Sequence, residues 1–111
     1  MAVTLALASK LDAEAHAHEV MPEEACGLLV QVGNEQKYLR CRNICETPEQ
    51  HFILDPRDYL RASLCGKILA IIHSHPQGQQ PSEADRKACL QSRLPWFIYQ
   101  IPQDQWVTIG N

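Results

Sequence analysis

Residues 70–86, AIIHSHPQGQQPSEADR, place His73 and His75 directly after an apolar run, with Ser82 and Asp85 beyond a loop rich in Gly, Pro and Gln. Side chains two apart on a strand lie on one face. Pro76 biases His75 towards extended backbone, so the imidazoles can converge on one point. Taken alone, His-Ser-His reads first as surface histidines at a strand end. Ser82-x-x-Asp85 reads as a capping box, with Asp85 at the positive end of the helix dipole. That role is compatible with a second one, because a carboxylate in the first helical turn is held rigidly and can face the preceding strand end. His73, His75 and Asp85 then offer two nitrogens and one oxygen, a set suited to Zn²⁺ with a fourth position free for water. Such a site belongs to the catalytic rather than the closed structural class. Hydrolysis there also needs a proton acceptor. PEEACGLLV supplies Glu23 and Glu24. Glu23 reads as a solvated loop carboxylate. Glu24 stands beside a buried-looking segment, where burial raises a carboxyl pKa towards a useful range.

A second His-x-His pair provides a contrast. His16 and His18 fall in a helical stretch, where two residues turn through about 200°, so the rings point to different faces and read as ordinary helix positions. The five cysteines are Cys26, Cys41, Cys45, Cys65 and Cys89. An odd count, with no positive start before the apolar N-terminal residues, is expected of reduced thiols in a cytosolic setting. Cys41 and Cys45 have no second Cys/His pair at matching spacing, and small buried hydrophobes are the plainer reading. A Cys/His hydrolase built on Cys26 or Cys65 is a further alternative, without a surrounding nucleophile signature. His51 is an exposed strand-start residue by default and a candidate for lining a groove.

These residues need a scaffold. With 111 residues, 45% hydrophobic and 21% charged, the chain is expected to form one domain over residues 1–111. A net charge of -3 with scattered Lys and Arg gives no footprint for nucleic acid, and no apolar run is long enough for a membrane span. Leu7, Leu11, Ala15 and His18 recur at helical spacing and predict a helix over 4–20, closed by Pro22. Strands are predicted over 27–32 and 37–44, joined by Gly33-Asn34, and over 51–54. Asp55-Pro56 starts a helix that Gly66 stops. The β-branched run over 67–73 predicts a strand buried on both faces. A helix from Ser82 to about 92 and strands over 96–101 and 106–109 complete an α/β or α+β layer.

Glu24-Ala-Cys-Gly-Leu-Leu, His73-Ser-His75-Pro76 and Ser82-Glu-Ala-Asp85 together resemble the JAMM/MPN+ metalloprotease family. The resemblance implies a mixed β-sheet flanked by helices, with a layout like that of cytidine deaminases. It implies Zn²⁺ bound by His73, His75 and Asp85, Glu24 shuttling a proton from water to the leaving amine, and Ser82 donating to the oxyanion. The implied reaction is hydrolysis of a peptide or isopeptide bond. A deaminase itself would need a Pro-Cys-x-x-Cys that the sequence lacks. One spacing departs from the family pattern: PQGQQP, between His75 and Ser82, is one residue shorter. SEADRKACLQSRLPWFIYQ further resembles the N-terminal domain of phage tail assembly proteins of the lambda K type, in which an NlpC-type cysteine peptidase domain follows. The implied partners are a protein or peptide substrate, in tail assembly or cell-wall processing, and tail proteins or an NlpC-type domain. The chain is too short for the insertions that grip ubiquitin. The alternative is a non-catalytic binding or scaffold module on the same fold.

Overall fold

A computed structural model describes residues 2–111. In chain order the elements are α1 (Leu7–Glu19), β1 (Cys26–Val32), β2 (Glu35–Cys41), α2 (Pro56–Cys65), β3 (Lys67–His75), α3 (Glu83–Ser92), β4 (Trp96–Gln100) and β5 (Gln105–Ile109). They form an α+β fold around a mixed five-stranded sheet of order β2-β1-β3-β4-β5. β1 runs antiparallel to both β2 and β3, β3 and β4 are parallel through α3, and β5 closes antiparallel on β4. The apolar run of β3 lies in the sheet centre, where its second half is buried on both faces.

The faces have different covers. On one, Ala13 of α1 packs with Leu29, Tyr38, Ala70, Ile72 and Phe97. On the other, Cys26, Leu28, Val30, Ile71, Trp96 and Ile98 meet Ala62 of α2 and Cys89 of α3. The site lies on this second face, at the carboxyl end of β3, where parallel strands in α/β sheets commonly present ligand sites.

Some expectations change. α1 starts at Leu7 rather than residue 4, and it buries Ser9, Ala13, His16 and Ala17. Leu7 and Leu11 are 69% and 55% exposed. The bulk at this interface comes from the sheet side, from Tyr38 and Phe97, so the helix face against it carries small residues. Residues 51–54 form no strand, only an isolated bridge between Leu54 and Asn43. The Asn43 side chain takes the place of a ladder. Its amide donates to the carbonyls of His51 (3.0 Å) and Glu24 (3.1 Å), and its oxygen accepts from the N–H groups of Ile53 (3.0 Å) and Cys45 (3.1 Å). β2 ends at Cys41, opposite Cys26 at the start of β1, instead of reaching residue 44. The α2 cap is as expected: Asp55 accepts from the Arg57 N–H at 2.9 Å, and Pro56 opens the helix. Gly66 follows the last turn in extended backbone, and a Cβ there would collide with the Gln31 carbonyl of β1. No helix among the described residues is long and apolar enough to cross a membrane.

Candidate metal centre

Strand alternation sorts the His-Ser-His triplet. His73 lies between Cys26 of β1 and Ile98 of β4, and His75 beside Gln100 of β4, so both rings project from the face that carries α3. Ser74 projects to the other face. Its hydroxyl accepts from the Ala25 N–H at 2.8 Å, and its own N–H donates to the Ala25 carbonyl at 3.0 Å. This latch fixes the entry to β1. The Glu24 N–H in turn donates to the Pro48 carbonyl at 2.7 Å. Glu24 is buried, and its carboxylate and the two imidazoles each offer a ligand atom within 4.8 Å of the others.

α3 delivers Asp85. Its backbone N–H donates to Ser82 Oγ at 3.0 Å, and its Oδ2 accepts from the Ser82 N–H at 2.9 Å, which is the capping box expected from the sequence. The same carboxylate faces the histidines. His73 Nε2 and His75 Nε2 are 3.2 Å apart. Asp85 Oδ1 lies 3.8 Å from His73 Nε2, and Oδ2 lies 3.3 Å from His75 Nε2. Tetrahedral zinc with bonds of about 2.0–2.1 Å separates its donor atoms by about 3.3–3.5 Å. The His73–His75 and His75–Asp85 separations are close to that spacing, while Asp85 approaches His73 through its other oxygen and stands farther off, at 3.8 Å. The shorter loop does not pull α3 away from β3.

The ring orientations agree with this use. His75 Nδ1 donates to the Gln79 carbonyl at 2.7 Å, which leaves the Nε2 lone pair facing Asp85 and His73. His73 is stacked by Phe52, with centroids 4.4 Å apart, and met edge-on by Trp96 at 5.2 Å. Its Nδ1 is buried without a hydrogen-bond partner among the described residues.

Electrostatics follow from burial and neighbours. Burial pushes the Glu24 carboxyl up to about 8, against the pull of His75. Burial holds His73 below the usual histidine range, with His75 adding to the effect. For His75, burial is outweighed by Asp85 and the Gln79 carbonyl, which raise it. For Asp85, burial is outweighed by His75 and the Ser82 N–H, which lower it. In front of these groups lies a cleft of about 490 Å³ whose lining includes Glu24, His51, Phe52, Ser82, Ala88 and Trp96.

Residues 10–108 match the family described as prokaryotic homologs of the JAB domain. This chain belongs to that JAB family. It is 42% identical over 96 residues to tail tip assembly protein K of Escherichia phage N15, a match covering 86% of this chain and 40% of the relative. It is also 48% identical over 46 residues to tail tip assembly protein K of Escherichia phage lambda, covering 40% of this chain and 23% of that protein. The chain thus spans well under half the length of these curated relatives. A solution structure of a protein from Desulfitobacterium hafniense superposes with a TM-score of 0.75 at 28% identity, covering 96% of this chain and 81% of that one.

Within this JAB domain the other candidate residues fall elsewhere. His16 Nδ1 meets the Tyr38 hydroxyl at 2.6 Å in the core, while His18 is exposed and packs edge-on to Tyr99. Glu23 is exposed. Cys26 has no exposed surface, burial pushes its thiol far up, and its Sγ lies 3.5 Å from the Arg42 carbonyl. A thiolate nucleophile is disfavoured there. Cys65 is exposed at the end of α2, away from the cleft. Cys41 is buried with its thiol pushed up to about 12, and the half-buried Cys45 meets the Thr47 hydroxyl at 3.5 Å. His51 is exposed at the cleft rim. Sequence reasoning missed Phe52 and Trp96 around His73, the Ser74 latch and the Gln79 carbonyl. Only Ser74 left a local signal, as the odd member of an alternating triplet.

Proposed function

We propose that the domain is a zinc-dependent metallopeptidase of the JAMM type, in which His73, His75 and Asp85 hold Zn²⁺ and Glu24 is the general base. The observation that carries this reading is the convergence of both His Nε2 atoms and the Asp85 carboxylate, with a buried, proton-holding Glu24 beside them. Bound there, the cation supplies Lewis acidity that polarises a carbonyl and acidifies water. The Glu24 carboxyl, near 8 without a cation, is moved down by a neighbouring positive charge into the range where it can take a proton and return it. In the proposed reaction Glu24 accepts the proton of the attacking water and delivers it to the departing amine. The Ser82 cap uses the hydroxyl oxygen as an acceptor, so its O–H stays free to donate to the oxyanion. Phe52 and Trp96 shield His73 from water and hold its ring.

The substrate is read as a peptide or isopeptide bond in phage tail assembly or cell-wall processing, in the cytoplasm of a bacterial or phage-infected cell. The names of the phage relatives support the tail setting. An NlpC-type peptidase domain is the partner implied by the same likeness. The test is cleavage of a peptide library by the zinc-loaded protein, read by mass spectrometry. Cleavage that vanishes in Glu24→Gln while zinc stays bound supports the assignment. Undiminished cleavage by Glu24→Gln removes Glu24 from the mechanism. No cleavage by a protein that binds zinc moves the reading to a binding module.

A further inference from the structure

The carbonyl that orients His75 belongs to Gln79, in a loop where Gln77, Gln79 and Gln80 are all exposed. A neutral imidazole is fixed in one tautomer only as firmly as its acceptor is held. The loop itself supplies little: one turn bond, from the Gly78 N–H to the His75 carbonyl at 3.0 Å. The rest comes from the end of β4 and the turn after it. Gln100 stands beside His75 in the parallel register and is 1% exposed, on a strand whose same-face neighbours Trp96 and Ile98 are apolar core residues. Its Nε2 donates to the carbonyls of Gln79 at 3.2 Å and Gly78 at 3.3 Å. Gln103, in the turn before β5, donates from Nε2 to the Gly78 carbonyl at 2.7 Å. A carbonyl oxygen has two lone pairs, so Gln79 can accept from His75 and Gln100 together.

We infer that Gln100, assisted by Gln103, is a positioning residue that holds the Gln79 carbonyl on His75 Nδ1 and thereby keeps His75 Nε2 turned to the site. A buried amide at this β4 position thus has a specific use, since an apolar side chain of the same shape would pack equally well but leave the loop carbonyls unheld. The inference rests on the metal-centre reading for its zinc arm and stands without it for its tautomer arm.

Both arms are measured on wild type, Gln100→Met and Gln103→Met. The first is the ring ¹⁵N correlation pattern of His75 in zinc-free protein, at alkaline pH where the ring is neutral. The second is the zinc dissociation constant by competition with a chromophoric chelator. The expected result is an Nδ1–H tautomer in wild type and a mixture in Gln100→Met. Zinc affinity should then be lower by about 10–100-fold. Gln103→Met, whose side chain lies outside the core, should move in the same direction by less, and it carries the test if Gln100→Met does not fold. An Nε2–H tautomer in wild type, or an unchanged tautomer ratio in every folded variant, overturns the clamp. A tautomer switch with no zinc bound by any protein overturns the metal-centre reading and leaves the clamp.

Discussion

Glu24 and Ser82 each serve the fold and the site at once, and the two uses can be separated. With burial raising the Glu24 carboxyl to about 8 from 4.5, the folded zinc-free protein holds a proton that the unfolded chain releases. Stability from this group is therefore fully present below 4.5 and lost as pH rises through 8. Glu24→Gln should match wild type near pH ~5 and be more stable near pH ~9 in urea unfolding of zinc-free protein. An equal difference at both pH values would mean that Glu24 is not held protonated. Ser82→Ala should cost about 0.5–2 kcal/mol of stability through the lost cap. Its peptidase turnover should fall by about 10²–10³ through the lost donor. Ser82→Asp restores the cap without the hydroxyl, so recovered stability with low turnover is expected, and recovered turnover would remove the oxyanion role. That His73, His75 and Asp85 could converge was readable from local rules, the strand period and the first helical turn, whereas their joint use as ligands was implied only by the family resemblance. The burial of Glu24 was only half readable, since it depends on Ser74 and Pro48, which are distant in the chain.

Between strand and helix, the six-residue loop works because of what its neighbours supply. Gly78 sits at φ +77°, and a Cβ there would also meet the Gln103 amide. Gly78→Ala should destabilise the fold by about 1–2 kcal/mol through the left-handed backbone and weaken zinc binding through the displaced Gln79 carbonyl, as followed by thermal unfolding and chelator competition. The loop over residues 43–53 has a different organiser. Asn43→Ala should cost about 1–3 kcal/mol, because it strips partners from several loop backbone groups. An unchanged denaturation midpoint would show that the loop holds itself. The strand character of β3 was plain from its β-branched run. The buried side of α1 was not, because the apolar spacing of Leu7 and Leu11 matches a core stripe, while Tyr38 and Phe97 fill that interface from the sheet. For residues 51–54 the pattern was misleading in another way: apolar content suggested a strand, but pairing stops at one bridge, and the Asn43 side chain takes the Ile53 N–H and the His51 carbonyl.

At the scale of the molecule, the sheet brings together groups that lie far apart in the chain. Glu24 stands two residues before β1, the histidines end β3, and Asp85 arrives on α3 through the parallel β3–α3–β4 connection. A cation bound across these elements ties them in the folded state only, so zinc should raise the melting temperature. At about 100 times its Kd the gain is about 2.7 kcal/mol, or on the order of 10 °C for a domain of this size. A chelator should reverse it. The overall α+β layout was legible from the order of apolar runs and caps, whereas the order of strands in the sheet was set by pairings that no local pattern records. The proposed chemistry stands or falls on the metal. Its most direct test is the metal content of purified protein, by elemental analysis, for wild type, the His73→Ala/His75→Ala double variant and Glu24→Gln. About one zinc per chain in wild type and Glu24→Gln, and none in the double variant, is the predicted result. A wild type that stays metal-free after zinc is supplied, or a double variant that keeps its zinc, would contradict it.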